Sequence, residues 1–109
     1  MEFAPEIVLI DDDKIIHKMW KLHFSDSPSK LTCFSSVQEF LQKAENFPPT
    51  TQVFIDCHLG DGLRGEIESE KIYNRGFSEI HITTSANPNE IQSKSWIRSI
   101  QPKRIDQFS

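Results

Sequence analysis

The sequence is poor in cysteine and glycine and contains no long hydrophobic run. Its two cysteines, Cys33 and Cys57, have neither the spacing of a zinc motif nor the number that a disulfide framework needs, which fits a reducing compartment. No apolar segment approaches the length that spans a membrane, and Met1 is followed by Glu2, not by the basic start of an export signal. We therefore expect a cytoplasmic protein that does not enter a membrane.

Basic residues are also scarce relative to acidic ones. The sequence has 12 Lys and Arg against 16 Asp and Glu, a formal net charge of −4, which argues against direct binding of nucleic acid. The 109 residues show no internal repeat, low-complexity tract or linker, and this length suits one domain with a modest core. We expect residues 1–109 to form a single domain.

Short apolar runs bounded by polar or turn residues predict buried strands. The run 53–55 leads directly into Asp56, and the run 7–10 leads into the acidic residues 11–13. Further strands are predicted at 31–34, 79–83 and 97–100. Because each run is too short for a helix of ordinary length, the strand interpretation is favoured.

Apolar residues at helical spacing predict amphipathic helices between these strands, at 14–24, 36–44 and 66–74. In the third helix Ile67 and Ile72 should face inward, and Glu66 should face solvent. The first helix should place His17 near the surface. Its apolar face is predicted to contain Ile15, Ile16, Met19, Leu22 and His23, with Trp20 beside them. A helix opened by Asn87-Pro88 should be short or poorly formed.

Alternation of strands and helices predicts an α/β fold. Parallel strands joined by right-handed crossovers form a doubly wound sheet with helices on both faces, here a three-layer sheet of five strands. Polar residues then gather at the carboxyl ends of the strands, where such sheets place their chemistry. These residues are the acidic run 11–13, Asp56, Thr84-Ser85 and, after the fifth strand, Lys103.

This set of side chains suits phosphoryl chemistry with a divalent cation. Neighbouring carboxylates repel unless a cation lies between them, and hard oxygen ligands suit Mg²⁺. Asp56 could attack phosphorus and form an aspartyl phosphate, while Lys103 and Thr84 would contact the phosphoryl oxygens. A simpler interpretation of residues 11–13 is that they only cap the first helix.

The chain resembles, over nearly its whole length, a response-regulator receiver domain, the phosphoacceptor module of two-component signalling. The segment 7–13 is similar to the first strand and acidic pair of that family, and 53–56 is similar to its phosphoacceptor strand. The resemblance implies a flavodoxin-like fold, with Asp56 as phosphoacceptor and Thr84 as the switch hydroxyl. It implies a Mg²⁺ site formed by Asp11, Asp12, Asp56 and the backbone carbonyl of His58.

Some features depart from the family's usual pattern. Gln101-Pro102 stands where receivers commonly have Lys-Pro, whereas a subgroup with a shortened fourth helix carries its lysine later, which here would be Lys103. We assign Lys103 to the phosphate-pairing role, and Gln101 is the alternative. The fifth helix should be absent or reduced to Ile105–Phe108.

The resemblance implies a signalling switch rather than a metabolic enzyme. A partner histidine kinase or phosphotransfer protein would phosphorylate Asp56, and the chain would take part in its own phosphorylation and dephosphorylation. The output would pass to a protein partner or to the rest of a longer chain. Two alternatives are a Mg²⁺-dependent phosphohydrolase with an Asp nucleophile, and a pseudo-receiver that docks proteins without being phosphorylated.

Overall fold

The computed structural model describes residues 6–85 and 87–103. Among these residues, five short strands alternate with three helices. The strands are β1 Glu6–Ile10, β2 Lys30–Phe34, β3 Gln52–Asp56, β4 Glu79–Thr84 and β5 Ser99–Pro102. The helices are α1 Lys14–His23, α2 Val37–Lys43 and α3 Gly65–Tyr73, and single 3₁₀ turns lie at Ala44–Asn46 and Pro88–Glu90.

The strands form one parallel sheet in the order β2-β1-β3-β4-β5. Residues of alternate parity on each strand face opposite sides of the sheet. Val8, Val53 and Ile80 face α2 and α3, whereas Leu9 and Phe54 face Trp20 of α1. The predicted three-layer, doubly wound α/β fold is therefore confirmed.

Helix α2 forms as its sequence predicts. The Ser36 side chain accepts a hydrogen bond from the Glu39 amide at 3.1 Å, which satisfies one free donor of the first turn. The Glu39 carboxylate in turn accepts from the Ser35 amide at 2.7 Å. Val37 and Phe40 are buried against the sheet.

The predicted apolar face of α1 is wrong for three of its residues. Ile15, Met19 and Leu22 are 67%, 46% and 77% exposed, and the buried residues of the helix are His17 and Trp20. Helical spacing alone allows either face, and the large indole of Trp20 packs on Phe54 with ring centroids 5.3 Å apart. The helix is therefore oriented by Trp20.

Two predictions for α3 are also wrong. Ile67 is 49% exposed, and Glu66, expected in solvent, is 4% exposed. The sequence of α3 has only a weak apolar stripe, so contacts outside the helix decide which side is buried. Glu66 is held by Arg64, and Ser69 accepts a hydrogen bond from the Trp96 indole at 2.8 Å.

The last predicted strand is displaced by two residues. It was expected at 97–100 and lies at Ser99–Pro102. The Ile97 amide donates to the Lys94 carbonyl within a turn, and the ladder with β4 begins at Ser99, opposite His81. Where a short fourth helix was expected, the structure has the 3₁₀ turn Pro88–Glu90. The expected remnant of a fifth helix, Ile105–Phe108, lies outside the described residues.

Candidate functional site

The carboxyl edge of the sheet brings three predicted carboxylates together. Asp56 is the last residue of β3, and Asp11 directly follows the neighbouring strand β1. Asp11 is fully buried and Asp56 is 3% exposed, whereas Asp12 is exposed at the rim. One carboxylate oxygen of each residue lies within 4.8 Å of those of the other two. Three carboxylates at this separation repel one another unless a positive charge lies near them.

Lys103 supplies a positive charge to this edge. Its Nζ lies 3.0 Å from Asp11 Oδ2 and 3.0 Å from Asp56 Oδ2. Its backbone amide donates to the Thr84 carbonyl at 2.7 Å, which fixes the residue at the end of β5. Gln101 lies elsewhere, because its side-chain amide donates to Ser99 Oγ at 2.8 Å. Of the two residues that the sequence left as candidates, Lys103 is the one that reaches the carboxylates.

Burial and charge affect the pKa values of this cluster in a consistent way. Burial raises the pKa of Asp11, and the nearby Asp56 carboxylate adds to that effect, while a hydrogen bond from the Asp13 amide and one from Lys103 oppose it. Burial alone would lower the pKa of Lys103, but hydrogen bonds to Asp56 and Asp11 outweigh it and the pKa is raised. Lys103 therefore stays a charged ammonium. A cation added beside Asp11 would stabilise the ionised form of its carboxylate.

Asp13 has a different task from the other two acids of its run. Its side chain accepts a hydrogen bond from the Ile15 amide at 2.9 Å and caps α1. Asp11 Oδ1 accepts from the Asp13 amide at 2.9 Å, which shapes the turn between β1 and the helix. The capping interpretation of the acidic run thus holds for Asp13.

The Thr84 hydroxyl lies on the opposite side of the strand from Asp56. Thr83 is the β4 residue in register with Asp56, so Thr84 and Cys57 both follow that pair and both face α2 and α3. The Cys57 thiol donates to Thr84 Oγ1 at 3.2 Å, and burial raises the pKa of this thiol. Thr84 is 1% exposed.

The loop after β3 folds back on itself beside Asp56. His58 and Arg64 form an antiparallel bridge, in which the Gly65 amide donates to the Cys57 carbonyl and the Leu59 amide donates to the Leu63 carbonyl. Neither of these bonds uses the His58 carbonyl. A metal-binding role for that carbonyl stays a prediction.

Gly65 is a site-forming residue that sequence reasoning missed. A Cβ atom at this position would lie 2.1 Å from the Asp56 carbonyl oxygen and 2.9 Å from the Asp56 carbonyl carbon. Only glycine lets the start of α3 approach the backbone of the phosphoacceptor candidate so closely. A glycine directly before a helical pattern was the available signal.

His17 is a second missed residue, since it was expected near the surface. It is 6% exposed, and its Nε2 lies 2.6 Å from the Asp11 carbonyl oxygen. Because a carbonyl only accepts hydrogen bonds, Nε2 carries the proton and donates it. Helix α1 thus holds the backbone of Asp11 in place. Its spacing of three residues from Trp20 was the signal that placed both on one face.

The donor set at this edge fits Mg²⁺ on chemical grounds. Asp11, Asp12 and Asp56 offer hard carboxylate oxygens, and the exposed rim at Asp12 leaves access for the water molecules that Mg²⁺ retains. The loop passes close by, since a Cβ at Gly60 would lie 3.0 Å from Asp12 Oδ2.

Comparison with known proteins finds similarity in structure. No protein-family model matches the sequence, and no curated protein matches it. A CheY-like response regulator receiver domain from Methylobacillus flagellatus matches with a TM-score of 0.79 and 14% identity, over 97% of this chain and 92% of that chain. The response regulator TrrA of Thermotoga maritima, solved with Mg²⁺-BeF, matches with a TM-score of 0.76 and 16% identity, over 94% and 90%.

A third solved structure is the signal receiver domain of an HD domain-containing protein from Pseudomonas fluorescens. It matches with a TM-score of 0.77 and 17% identity, over 94% of this chain and 78% of that chain. The chain therefore has the fold of response-regulator receiver domains, as the motif resemblance implies. Within residues 6–85 and 87–103, no helix is long and apolar enough to cross a membrane.

Proposed function

We propose that this chain is a phosphoacceptor receiver domain of a two-component system. Asp56 takes a phosphoryl group from a histidine of a partner kinase or phosphotransfer protein. The observation that carries the proposal is the position of Lys103 Nζ, 3.0 Å from both Asp11 and Asp56, on a receiver fold. A lone aspartate at a strand end has many explanations, whereas this combination matches the needs of phosphoryl transfer.

The transfer exchanges one bond to phosphorus for another. An Asp56 carboxylate oxygen forms the new P–O bond as the P–N bond to the donor histidine breaks. The other ring nitrogen of that histidine carries a proton during transfer, so the histidine takes the electron pair of the P–N bond and leaves as a neutral imidazole. Before the transfer Lys103 contacts the Asp56 carboxylate. After the transfer it pairs with an oxygen of the phosphoryl group on Asp56. Asp11, Asp12, Asp56 and the His58 carbonyl are the proposed ligands of Mg²⁺. When bound, Mg²⁺ supplies neutralisation of the charge that develops on the phosphoryl oxygens.

Thr84 is the proposed switch. Its hydroxyl contacts Cys57 and faces away from Asp56 in the described state, so the end of β4 would have to turn before this hydroxyl could donate a hydrogen bond to the phosphoryl group. Loss of the contact between Thr84 and Cys57 would shift the end of β4 and the turn that follows it. This shift would favour one of two conformations of the surface formed by that turn. A protein partner, or another part of a longer chain, would read this change, in the cytoplasm where Cys33 and Cys57 remain free thiols.

The phosphohydrolase alternative has less support. It needs an acid–base group two residues after the nucleophile, which is His58. His58 Nδ1 lies 3.0 Å from Cys57 Sγ, so that ring nitrogen already has a partner. The pseudo-receiver alternative would be favoured if no lysine lay beside the phosphoacceptor. It has less support because Lys103 reaches the two carboxylates.

The decisive experiment combines the chain with Mg²⁺ and acetyl phosphate and maps adducts by mass spectrometry. We expect one hydroxylamine-sensitive phosphoryl group on Asp56, absent in Asp56→Asn and retained in Asp61→Asn, a control at an exposed loop carboxylate. Lys103→Gln should slow its formation by at least about tenfold, since one charged contact to a transferring phosphoryl group is worth more than 1.4 kcal/mol. If the wild-type protein forms no adduct, the phosphoacceptor proposal is rejected in favour of the pseudo-receiver that docks proteins. Repeated turnover of phosphomonoesters would favour the phosphohydrolase.

A further inference from the structure

Three consecutive residues at the end of β3 place an oxygen, a sulfur and a nitrogen ligand close together. One carboxylate oxygen of Asp56, Sγ of Cys57 and a ring nitrogen of His58 all lie within 4.8 Å of one another. Cys57 Sγ is 3.0 Å from His58 Nδ1. We propose that these three side chains form a site for a divalent cation of the zinc class. The site shares the Asp56 carboxylate with the proposed Mg²⁺ site, to which His58 contributes only its backbone carbonyl, and its sulfur and nitrogen ligands are not part of that site.

The ligand chemistry separates the two cation sites. Thiolate and imidazole ligands select zinc and similar borderline metals, whereas Mg²⁺ requires oxygen ligands. With zinc–sulfur and zinc–nitrogen bonds of about 2.3 and 2.0 Å, ligand atoms around a tetrahedral ion lie about 3.3–3.6 Å apart. The observed separation of Sγ and Nδ1 is therefore about 0.5 Å short of the bound arrangement. A small rotation of the exposed His58 ring is enough to open it.

The backbone around these ligands is already fixed. The Cys57 amide donates to the Thr83 carbonyl at 2.9 Å, and the Cys57 carbonyl accepts from the Gly65 amide at 3.0 Å. Asp56 and Cys57 are buried, whereas His58 is exposed. An ion would therefore enter from the His58 side and keep water as its fourth ligand, because only that side of the three ligands opens to solvent.

Thr84 gives the bound sulfur a hydrogen-bond donor. On binding, the Cys57 S–H bond breaks, its proton goes to solvent, and a sulfur–metal bond forms. The resulting thiolate can accept a hydrogen bond from the Thr84 hydroxyl, which lies 3.2 Å away. Such outer contacts orient and strengthen metal ligands. The bound ion would thus keep Thr84 on Cys57 at the same time as it occupies the Asp56 carboxylate.

Cobalt titration tests the site directly, because Co²⁺ bound to a thiolate has a charge-transfer band that oxygen ligands do not give. We expect the wild-type chain to show this band, Cys57→Ser to lose it, and His58→Gln to bind Co²⁺ at least about tenfold more weakly. Cys33→Ser and Asp12→Asn should keep the band, since Cys33 lies outside the site and Asp12 belongs to the oxygen site alone. A band that is absent from the wild type, follows Cys33, or is unchanged in both Cys57→Ser and His58→Gln overturns the proposal. His58→Gln changes an exposed side chain, so that result stands even if Cys57→Ser unfolds.

The regulatory consequence rests on the proposed function and needs its own measurement. Zn²⁺ should suppress formation of the Asp56 adduct from acetyl phosphate in the wild-type protein. His58→Gln should need at least about a fivefold higher Zn²⁺ concentration for the same suppression. Equal suppression in both proteins would overturn this consequence. A cobalt band without any adduct under Mg²⁺ would instead reject the proposed function and leave the metal site standing.

Discussion

The two faces of the sheet differ in how they are covered. On the α2–α3 face, Phe40 is fully buried and contacts the rings of Phe34, Phe47 and Phe77, with centroids 5.2–6.0 Å apart across the group. On the α1 face, the buried apolar residues described are Ile7, Leu9, Trp20 and Phe54. Phe54 there packs between Trp20 and the half-buried ring of His81. One face is a continuous apolar core, and the other mixes a small core with polar side chains.

The difference separates stability from support of the candidate site. The α2–α3 face brings buried apolar residues from three strands and two helices together, which is the main source of folding free energy in a domain of this size. The α1 face gives up apolar burial where His17 turns inward to hold the Asp11 backbone. Ile15, Met19 and Leu22 remain exposed on the outside of that helix. We infer that the residues buried by α1 serve to position the candidate site, whereas those buried by α2 serve mainly to stabilise the core.

Truncating one phenylalanine on each face tests this comparison most strongly. Phe40→Ala should lower the free energy of unfolding by about 4 kcal/mol, because a fully enclosed ring leaves a cavity among other rings. Phe54→Ala should cost less, about 3 kcal/mol, since His81 beside it is only partly buried and can move into the space. Urea unfolding followed by circular dichroism measures both. An equal or larger loss in Phe54→Ala would mean that the α1 face is the main core.

Gly65→Ala tests how closely α3 must approach Asp56. The added methyl would meet the Asp56 carbonyl oxygen at 2.1 Å, so the helix or the strand end must move, and we expect a loss of about 3 kcal/mol. Gly62→Ala is the matched control: no atom lies within 4 Å of its added Cβ. Its φ of +76° still disfavours alanine, by about 1–2 kcal/mol. Thermal unfolding compares the two, and a smaller loss at Gly65 than at Gly62 would contradict the close approach.

The fold and most of the site could be predicted because their signals are local. Apolar runs ending in acids located β1 and β3, and the parallel order then placed Asp11 beside Asp56 at one edge. The Ser36–Glu39 spacing is a comparable local signal for the start of α2, since both halves of the cap lie within one helical turn. A motif resemblance added Lys103, which the structure brings to both carboxylates.

The missed features depend on how the folded chain surrounds each residue. Helical spacing in α1 fits two faces equally well, and only the contact of Trp20 with Phe54 decides between them. Glu66 is buried because Arg64 and the fold of the β3–α3 loop enclose it, which no periodicity reports. The start of β5 is set by the register of Ser99 against His81. Such choices are made by tertiary packing, and single-sequence patterns do not contain them.

His17→Leu tests the polar contact on the α1 face. Leucine keeps much of the buried volume but leaves the Asp11 carbonyl without its donor, which should cost about 1–2 kcal/mol. His23→Leu, at the end of the same helix, is the control and should change stability by less than about 0.5 kcal/mol. Chemical denaturation of both variants gives the comparison. Equal effects of the two substitutions would show that His17 contributes only helix packing.

The smallest expected effect is a pH dependence from His81, also on the α1 face. Burial lowers the pKa of His81 below its usual 6.5, and the carboxylate of Glu79, 3.9 Å away, opposes that shift only in part, with Arg98 adding to it. As pH falls, the unfolded chain therefore gains this proton first, so the contribution of His81 to stability is complete above pH 6.5 and declines below it. We expect the difference in unfolding free energy between wild type and His81→Gln to shrink between pH 8 and pH 5.5, as other titrating groups cancel in that difference. A difference that stays constant or grows toward low pH would show that the imidazole is charged in the folded chain and that this face is more open to water than its packing on Phe54 indicates.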